Sequence, residues 1–298
     1  MTLSANQRGI LALICGMGAY TINDAMVKSI AHKYPVGEVI FVRGVMTAAL
    51  IGAAVLALGH AQELRHVTNK PLLVRSVFDG LSTACFIAAL VHMKLADLAA
   101  MLQVSPLILT ALSVLFYREI VGWRRWTAIA VGFAGAMFVV KPTPSAFDVW
   151  AVVAIAAATS SALREMLTRR IDRSVPTVVI AFMGSNGILV AGALFAATGE
   201  WRPIPARDLS MLAGAAIFVG IATYSIALAF RGVDLSVVAP FRYSYLITSA
   251  IAGYLVFNEL PDRWSAAGAV LIVASGLYAL HREAVRRREI SAKATPAA

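Results

Sequence analysis

Long apolar runs alternate with short polar connections over almost the whole chain. A helix needs about 20 mostly apolar residues to cross the hydrocarbon core of a membrane. Hydropathy predicts ten such spans, and the connections between them are too short for a separate soluble domain. The spans lie near residues 8–30, 36–58, 71–92, 97–117, 123–140, 148–168, 175–197, 208–230, 235–257 and 264–282.

Composition supports an all-α integral membrane protein. Of the 298 residues, 59% are hydrophobic and 14% are charged. The mean hydropathy of +0.77 exceeds what a soluble domain of this size can bury. The sequence contains no P-loop, no HExxH and no GxSxG motif, so we expect neither an enzyme nor a bound cofactor or metal. Cys15 and Cys85 lie in apolar runs and are interpreted as packing residues.

The net charge of +10 is distributed unevenly over the connections. Of the 26 Lys and Arg residues, 17 fall on the side that holds both termini and seven on the other side, while Arg43 and Arg242 fall inside spans. The positive-inside rule then predicts cytoplasmic termini for a multi-pass membrane protein. We expect the basic tail, residues 285–298, to contact anionic lipid and no nucleic acid.

The chain contains an internal repeat. The stretch "NDAMVKSIAHKYPVGEVIF" from residue 23 matches "REMLTRRIDRSVPTVVIAF" from residue 164. Each half then has five spans, and because five is odd the second half enters the membrane from the opposite side. The predicted fold is two inverted five-helix repeats, residues 1–142 and 143–284, rocking around a central cavity for alternating access. The competing interpretation is chance similarity between apolar helices.

Polar residues in the first two spans are candidates for chemistry, because ionisable groups inside a membrane are costly and face a cavity or a partner. Asp24 and Lys28 are spaced i, i+4 and can neutralise each other. Lys28 is therefore expected to be structural, whereas Tyr20 and Asn23 are expected to meet substrate. Arg43 either binds a carboxylate or links the first two spans.

Asp79 is the acid with the fewest obvious partners in the sequence. Desolvation suits it to carry a proton or to meet an ammonium group. The alternative is a structural hydrogen bond to a neighbouring hydroxyl, such as that of Thr83.

Spans 4 and 9 occupy equivalent positions in the two repeats, and each contains a proline, Pro106 or Pro240, although no proline stands at Met101 or Leu102 to match Pro240. Paired interruptions of this kind indicate a transport site. Arg242 is a cation for a substrate carboxylate or, alternatively, an anchor at the lipid headgroups. Polar residues of span 6 either face the cavity or join helices. The candidate substrate-binding residues are Tyr20, Asn23, Asp24, Asp79, Thr83, Gln103, Ser161, Arg164, Tyr224, Arg242 and Tyr243. The candidate structural residues are Lys28, Arg43, Pro106 and Pro240.

Small residues in spans 5 and 10 predict close packing, either within a scaffold or across a dimer. They include Gly132, Gly135, Gly268 and Gly276. No substrate role is assigned to them.

These motifs resemble a known family. The "DAMVK" run, the span 9 stretch "VVAPFRYSYLITSAIAGYLVFNE" and the Glu119 and Glu259 ends of spans 4 and 9 look like the EamA-type drug/metabolite transporter superfamily. Within it, the chain is similar to bacterial amino-acid exporters of the YddG type. The resemblance implies a cavity lined by helices 1, 3, 4, 6, 8 and 9, with helices 5 and 10 outside.

The expected function is export of amino acids, aromatic and apolar ones favoured, by a monomer or weak dimer in the lipid bilayer. The alternative is a carrier of another small metabolite or cationic compound, by uptake or efflux. From other classes, the alternatives are an intramembrane enzyme and an assembly subunit. The resemblance also implies a location in the bacterial inner membrane.

Overall fold

The computed structural model describes residues 4–117, 123–140, 149–168, 170–172, 174–197, 199, 201–229 and 235–294. Throughout these ranges the regular structure is helical. The helices are α1 (Ala5–Ala31), α2 (Val36–Ala57), α3 (Lys70–His92), α4 (Leu95–Leu102), α5 (Ser105–Tyr117), α6 (Trp123–Val140), α7 (Val149–Thr168), α8 (Thr177–Ala196), α9 (Ala206–Ala229), α10 (Leu235–Val238), α11 (Ser244–Phe257) and α12 (Arg263–Ala294). Short 3-10 helices cover Ala61–Thr68 and Ala239–Tyr243.

Among the described residues, eight helical segments are long and apolar enough to cross a membrane, and Trp126–Val140 is a shorter apolar helix. The protein is therefore a helical multi-pass membrane protein. The first helix begins earlier than hydropathy predicts, because Ser4 and Gln7 form a reciprocal capping box. The predicted tail differs as well, since α12 continues as one helix to Ala294.

Both predicted proline interruptions coincide with breaks in helical structure. The α-helix stops at Leu102 and resumes at Ser105, one residue before Pro106. Pro240 lies in the 3-10 helix that separates α10 from α11. Proline has no backbone N–H and its ring clashes with the preceding helical turn, so an uninterrupted α-helix is disfavoured at both places.

The main helix pairs are α1 with α9, α2 with α8, α3 with α7 and α6 with α12. Each pair joins a helix before residue 141 to a helix after residue 148. The two sequence halves are therefore interleaved. A rocking of residues 1–142 against residues 143–284 as two rigid bodies would separate all four pairs, so any moving unit has to combine helices from both halves.

Glycines allow the closest helix approaches. A Cβ added to Gly192 of α8 would lie 2.6 Å from the backbone N of Phe41 in α2, and one added to Gly135 of α6 would lie 2.8 Å from the carbonyl O of Gly268 in α12. Gly276 packs against the Tyr243 hydroxyl. The small residues of α6 and α12 thus pack within the chain, as in the scaffold interpretation of the sequence.

Candidate functional site

Asn23, Asp24, Arg43 and Tyr245 form a buried group that we call the inner cluster. The Tyr245 hydroxyl donates to Oδ2 of Asp24 over 2.6 Å, and Nδ2 of Asn23 donates to Oδ1 of Asp24 over 2.8 Å. Nη1 of Arg43 donates to Oδ1 of Asn23 over 3.1 Å. All four residues are at most 7% exposed. The cluster connects α1, α2 and α11 through polar bonds in an apolar interior.

A second link between α1 and α11 lies close by in sequence. The hydroxyl oxygens of Thr21 and Thr248 are 2.6 Å apart, and Thr21 also donates to the carbonyl O of Met17 one turn earlier. Hydroxyl bonds of this kind join membrane helices without adding charge. They fix the side of α1 that faces α11, and with it the direction in which Asp24 points.

Arg75, Asp79, Arg164, Glu165 and Arg242 form what we call the arginine cluster. The Asp79 carboxylate bonds to two guanidinium groups, with 2.6 Å from Oδ2 to Nη1 of Arg75 and 3.2 Å from Oδ1 to Nη1 of Arg164. Nη2 of Arg242 donates to Oε1 of Glu165 over 2.8 Å. With three arginines and two acids, the ionised cluster carries a net charge of +1.

Water access distinguishes the two clusters. The side chains of Arg164, Glu165 and Arg242 are 29%, 25% and 35% exposed, whereas the inner cluster is closed to solvent. Charged groups on spanning helices avoid lipid and face water or protein. The arginine cluster therefore lines a water-accessible part of the helix bundle.

Tyr20 and Gln103 each adjoin one of the clusters. Tyr20 of α1 is half-buried and packs against a group of buried residues that includes Tyr245 of the inner cluster. Gln103, at the break between α4 and α5, donates from Nε2 to the carbonyl O of Arg242 over 3.5 Å, a long hydrogen bond. The two interrupted segments thus meet at Gln103 and Arg242.

The remaining candidates occupy different surroundings. Ser161 accepts a hydrogen bond of 3.0 Å from Nη2 of Arg164 and so extends the arginine cluster. Thr83 is half-buried on α3, one turn beyond Asp79. Tyr243 is 7% exposed, and its hydroxyl has no hydrogen-bond partner among the described residues. Tyr224 is 68% exposed, so its side chain does not share the buried surroundings of the other candidates.

Two expected partnerships differ in the structure. Lys28 bonds to Glu259 and not to Asp24, because the two Glu259 oxygens and the Met93 carbonyl give its ammonium three acceptors within 2.8 Å. Asp79, expected to lack strong partners, is doubly paired with arginines. Arg75, which lies in the predicted span 71–92, stands one turn before Asp79 on the same face of α3.

Sequence reasoning did not select Arg75, Glu165, Tyr245 and Glu259 as candidates. Glu165 had one usable signal, since the repeat aligns it with Asp24. Tyr245 stands two residues after the selected Tyr243, but the sequence does not reveal which of the two phenols points toward α1.

Comparison with known proteins identifies the family. The profile of the EamA-like transporter family matches residues 7–141 and again residues 148–280. The chain belongs to this family. Both matches together cover most of the sequence, and each corresponds to one of the predicted halves.

Relatives of this EamA-like transporter carry several kinds of small molecule. The chain is 27% identical over 280 residues to the pseudopaline exporter CntI of Pseudomonas aeruginosa, covering 92% of this chain and 96% of the relative. It is 26% identical to the S-adenosylmethionine uptake transporter of Rickettsia prowazekii, covering 92% and 93%. It is 27% identical to a riboflavin transporter of Vibrio cholerae, covering 95% of both. These relatives support small-metabolite transport and do not support the narrower resemblance to amino-acid exporters.

The fold has a counterpart among solved structures. One crystal structure aligns with a TM-score of 0.61 at 22% identity, over 94% of this chain and 99% of its own. At that identity the match shows a shared fold. The match therefore supports a shared path of the chain and says nothing about the substrate.

Proposed function

We propose that this EamA-like protein is a secondary transporter that carries a small metabolite with an anionic group across the bacterial inner membrane by alternating access. The observation that carries the proposal is the partly exposed arginine cluster with a net charge of +1. The broader metabolite class, which the sequence offered as the alternative to amino-acid export, fits the relatives better.

The charge balance of the arginine cluster favours an anionic ligand. A net positive charge within spanning helices is costly, and a substrate carboxylate or phosphate would neutralise it. Arg242 is the most exposed of the three arginines in the cluster, at 35%, compared with 29% for Arg164 and 13% for Arg75. A guanidinium has five N–H donors, so one bond to Glu165 leaves Arg242 able to bind a second anion.

Two inverted repeats, residues 1–142 and 143–284, would place this site between related helices. The repeat equates α1 with α7 and α3 with α9, so the packed pair α1 and α9 corresponds to the packed pair α7 and α3. The pairs α2 with α8 and α6 with α12 each correspond to themselves. This exchange of partners, together with the double profile match, supports a two-fold arrangement.

The two ends of the helix bundle differ in how far polar contacts close them. This difference supports the assignment of the structure to one conformation of an alternating-access cycle. At the end where α1 stops, Lys28 and Glu259 join α1 to α11, and Nζ of Lys94 donates to the carbonyl O of Leu260. With cytoplasmic termini this closed end faces the periplasm. The water-accessible arginine cluster would then be open to the cytoplasm.

Amino-acid export remains a second candidate. An amino acid presents a carboxylate for Arg242 and an ammonium group for an acid. Tyr20, half-buried beside Tyr245 of the inner cluster, would supply an aromatic wall. The two candidates differ in the substrates that the same assay should accept.

Proteoliposome flux tests the proposal. The panel contains amino acids, S-adenosylmethionine, riboflavin and neutral nucleosides, measured on wild type, Arg242→Gln and Glu165→Gln. We expect Arg242→Gln to raise the half-saturating concentration about tenfold or more, the effect of losing one charged hydrogen bond, and Glu165→Gln to lower it. Arg207→Gln, an exposed arginine, is the control. Transport of neutral compounds alone, or an unchanged Arg242→Gln, would overturn the proposal.

A further inference from the structure

We infer that Asp24 is the site where this transporter binds a coupling proton. The inference rests on the proposed transport function and names the ion that drives it. Its basis is the set of groups that surround the Asp24 carboxylate. The sequence suggested Asp79 for this role, and the structure gives Asp79 and Asp24 opposite surroundings.

The Asp24 carboxylate is buried and held by neutral donors. The residue is 4% exposed, and its oxygens accept hydrogen bonds from the Tyr245 hydroxyl and the Asn23 amide. Burial in an apolar helix bundle opposes ionisation of a carboxyl group. Neutral donors allow the carboxyl group to remain in place whether or not it holds a proton, because a hydroxyl can also accept a hydrogen bond.

Few charged or titratable groups lie next to Asp24 among the described residues. Tyr245 of α11 bonds to it, Arg43 of α2 bonds to the adjacent Asn23, and Tyr20 stands one turn before it on α1. Lys28, one turn further along α1, is held by Glu259. Arg43 is thus a cation that Asn23 links to the Asp24 carboxylate.

Arg43 gives the inner cluster two possible arrangements. In the structure its Nη1 bonds to Asn23, and its buried Nε has no partner among the described residues. A neutral Asp24 leaves Arg43 with Asn23 as its acceptor. Loss of the proton makes Asp24 a carboxylate that competes for Arg43. Exchange of a proton would therefore shift the link between α1 and α2, two helices that both pack on α9.

Asp79 lacks this freedom. Two guanidinium groups bond to its two oxygens, that of Arg75 on the same helix and that of Arg164 on α7. Loss of the Asp79 carboxylate would leave Arg75 and Arg164 without their shared anion. Asp79 therefore holds the arginine cluster together.

A route for the proton follows from the placement of Tyr20. This half-buried phenol stands one turn before Asp24 on α1, toward the end of the bundle at which α1 begins. A proton from that end would reach Asp24 past Tyr20.

Infrared difference spectroscopy tests the proton site without a known substrate. Full-length protein in detergent is titrated between about pH 5 and pH 9, and the carbonyl stretch that a protonated carboxyl group shows and a carboxylate lacks is followed. We expect a titrating band in wild type and in Asp79→Asn, and its loss in Asp24→Asn. Retention of the same band in Asp24→Asn, or no titrating band in wild type, would overturn the inference.

Tyr245→Phe covers the case in which Asp24→Asn does not fold. Removal of a hydrogen bond that stabilises the carboxylate raises the midpoint of its titration. We therefore expect the band in Tyr245→Phe to persist to a higher pH than in wild type. An unchanged midpoint in a folded Tyr245→Phe protein would contradict the assignment to Asp24.

Flux measurements separate this inference from the proposed function. For one proton per substrate, each pH unit across the proteoliposome membrane supports about tenfold accumulation, and Asp24→Asn should exchange substrate without responding to the gradient. Wild-type flux that ignores the gradient would overturn the proton site and leave the transport function intact. If no compound in the panel is carried, the infrared result still decides the proton site.

Discussion

Nζ of Lys28 in α1 lies 2.6 Å from Oε2 of Glu259, 231 positions later in the chain. The same ammonium donates to the Met93 carbonyl, and Oε2 of Glu259 also accepts from the backbone N of Leu95. One ion pair thus fastens α1, the corner between α3 and α4, and the segment after α11. Phe257, whose ring centroid is 5.0 Å from Nζ, covers the pair on another side.

Removal of one partner of the Lys28–Glu259 pair should lower the free energy of unfolding more than removal of both. Lys28→Met leaves Glu259 without its cation, and we expect a loss of about 2–3 kcal/mol in the free energy of unfolding. This is below the range for a fully buried pair because the Glu259 side chain is 26% exposed. The loss in the free energy of unfolding is measured in mixed detergent micelles for Lys28→Met, Glu259→Gln and the double variant. Additive losses in the double variant would contradict the pairing.

Lys33→Met is the matched control for that series. Lys33 also pairs with an acid, Asp208, over 3.2 Å, but its side chain is 46% exposed. Exposed pairs contribute about 1 kcal/mol or less. A loss as large as that of Lys28→Met would show that the difference in burial does not determine the effect.

Close packing of α3 on α8 gives a second prediction. A Cβ added to Gly187 would overlap the backbone carbonyl of Ser76, which cannot move without moving α3. Gly187→Ala should therefore destabilise the protein by about 1–3 kcal/mol or more and move the helix that carries Asp79. Thermal unfolding and substrate flux both report on this change.

Gly18 in α1 is the control for that substitution. A Cβ added there has no heavy atom within 4 Å. Alanine is the better helix former, so Gly18→Ala should stabilise by about 0.5–1 kcal/mol. Equal effects at Gly18 and Gly187 would show that helix propensity, and not the contact with Ser76, determines the outcome.

Local patterns in the sequence predicted much of the fold. Hydropathy placed most helix ends within a few residues, because apolar length is a local property of the chain, but it did not predict that α12 continues to Ala294. The breaks at Pro106 and Pro240 followed from the covalent structure of proline. Which side chains pair across helices was not predictable in the same way, since Lys28 has Asp24 within one turn and yet bonds to Glu259, which only the packing of α1 on α11 brings near.

In the candidate site as well, the sequence identified single polar residues but not their partners on other helices. Tyr20, Asn23, Asp24 and Arg242 were selected because polar residues are rare in spans. Their partners Arg75, Glu165 and Tyr245 were missed for separate reasons. Arg75 was counted only among the basic residues on the side that holds both termini, and Glu165 was treated only as a repeat partner. The direction of Tyr245 depends on how α11 is rotated after the 3-10 helix.

The role of Asp79 gives a third prediction. Asp79→Asn removes the anion shared by Arg75 and Arg164 and raises the net charge of the arginine cluster from +1 to +2. We expect a loss of about 3 kcal/mol in the free energy of unfolding, at the low end for a buried pair because Arg164 is 29% exposed. Adding Arg164→Gln restores the charge to +1 and should recover part of the loss. No recovery in the double variant would argue against electrostatic repulsion as the cause.

The connection between α1 and α2 gives a prediction for alkaline pH. The hydroxyl of Tyr34 donates to Oδ2 of Asp208 over 2.8 Å, and this hydrogen bond to a carboxylate raises the pKa of Tyr34 above its usual value near 10. Because the pKa is higher in the folded state, the contribution of Tyr34 to stability is fully present below about pH 10 and is lost as the pH rises through the raised value. Tyr34→Phe should therefore melt at a lower temperature than wild type at pH 7, and the difference should shrink at strongly alkaline pH. Melting curves of both proteins across this range measure the effect, and a difference that grows with pH would contradict the bond to Asp208.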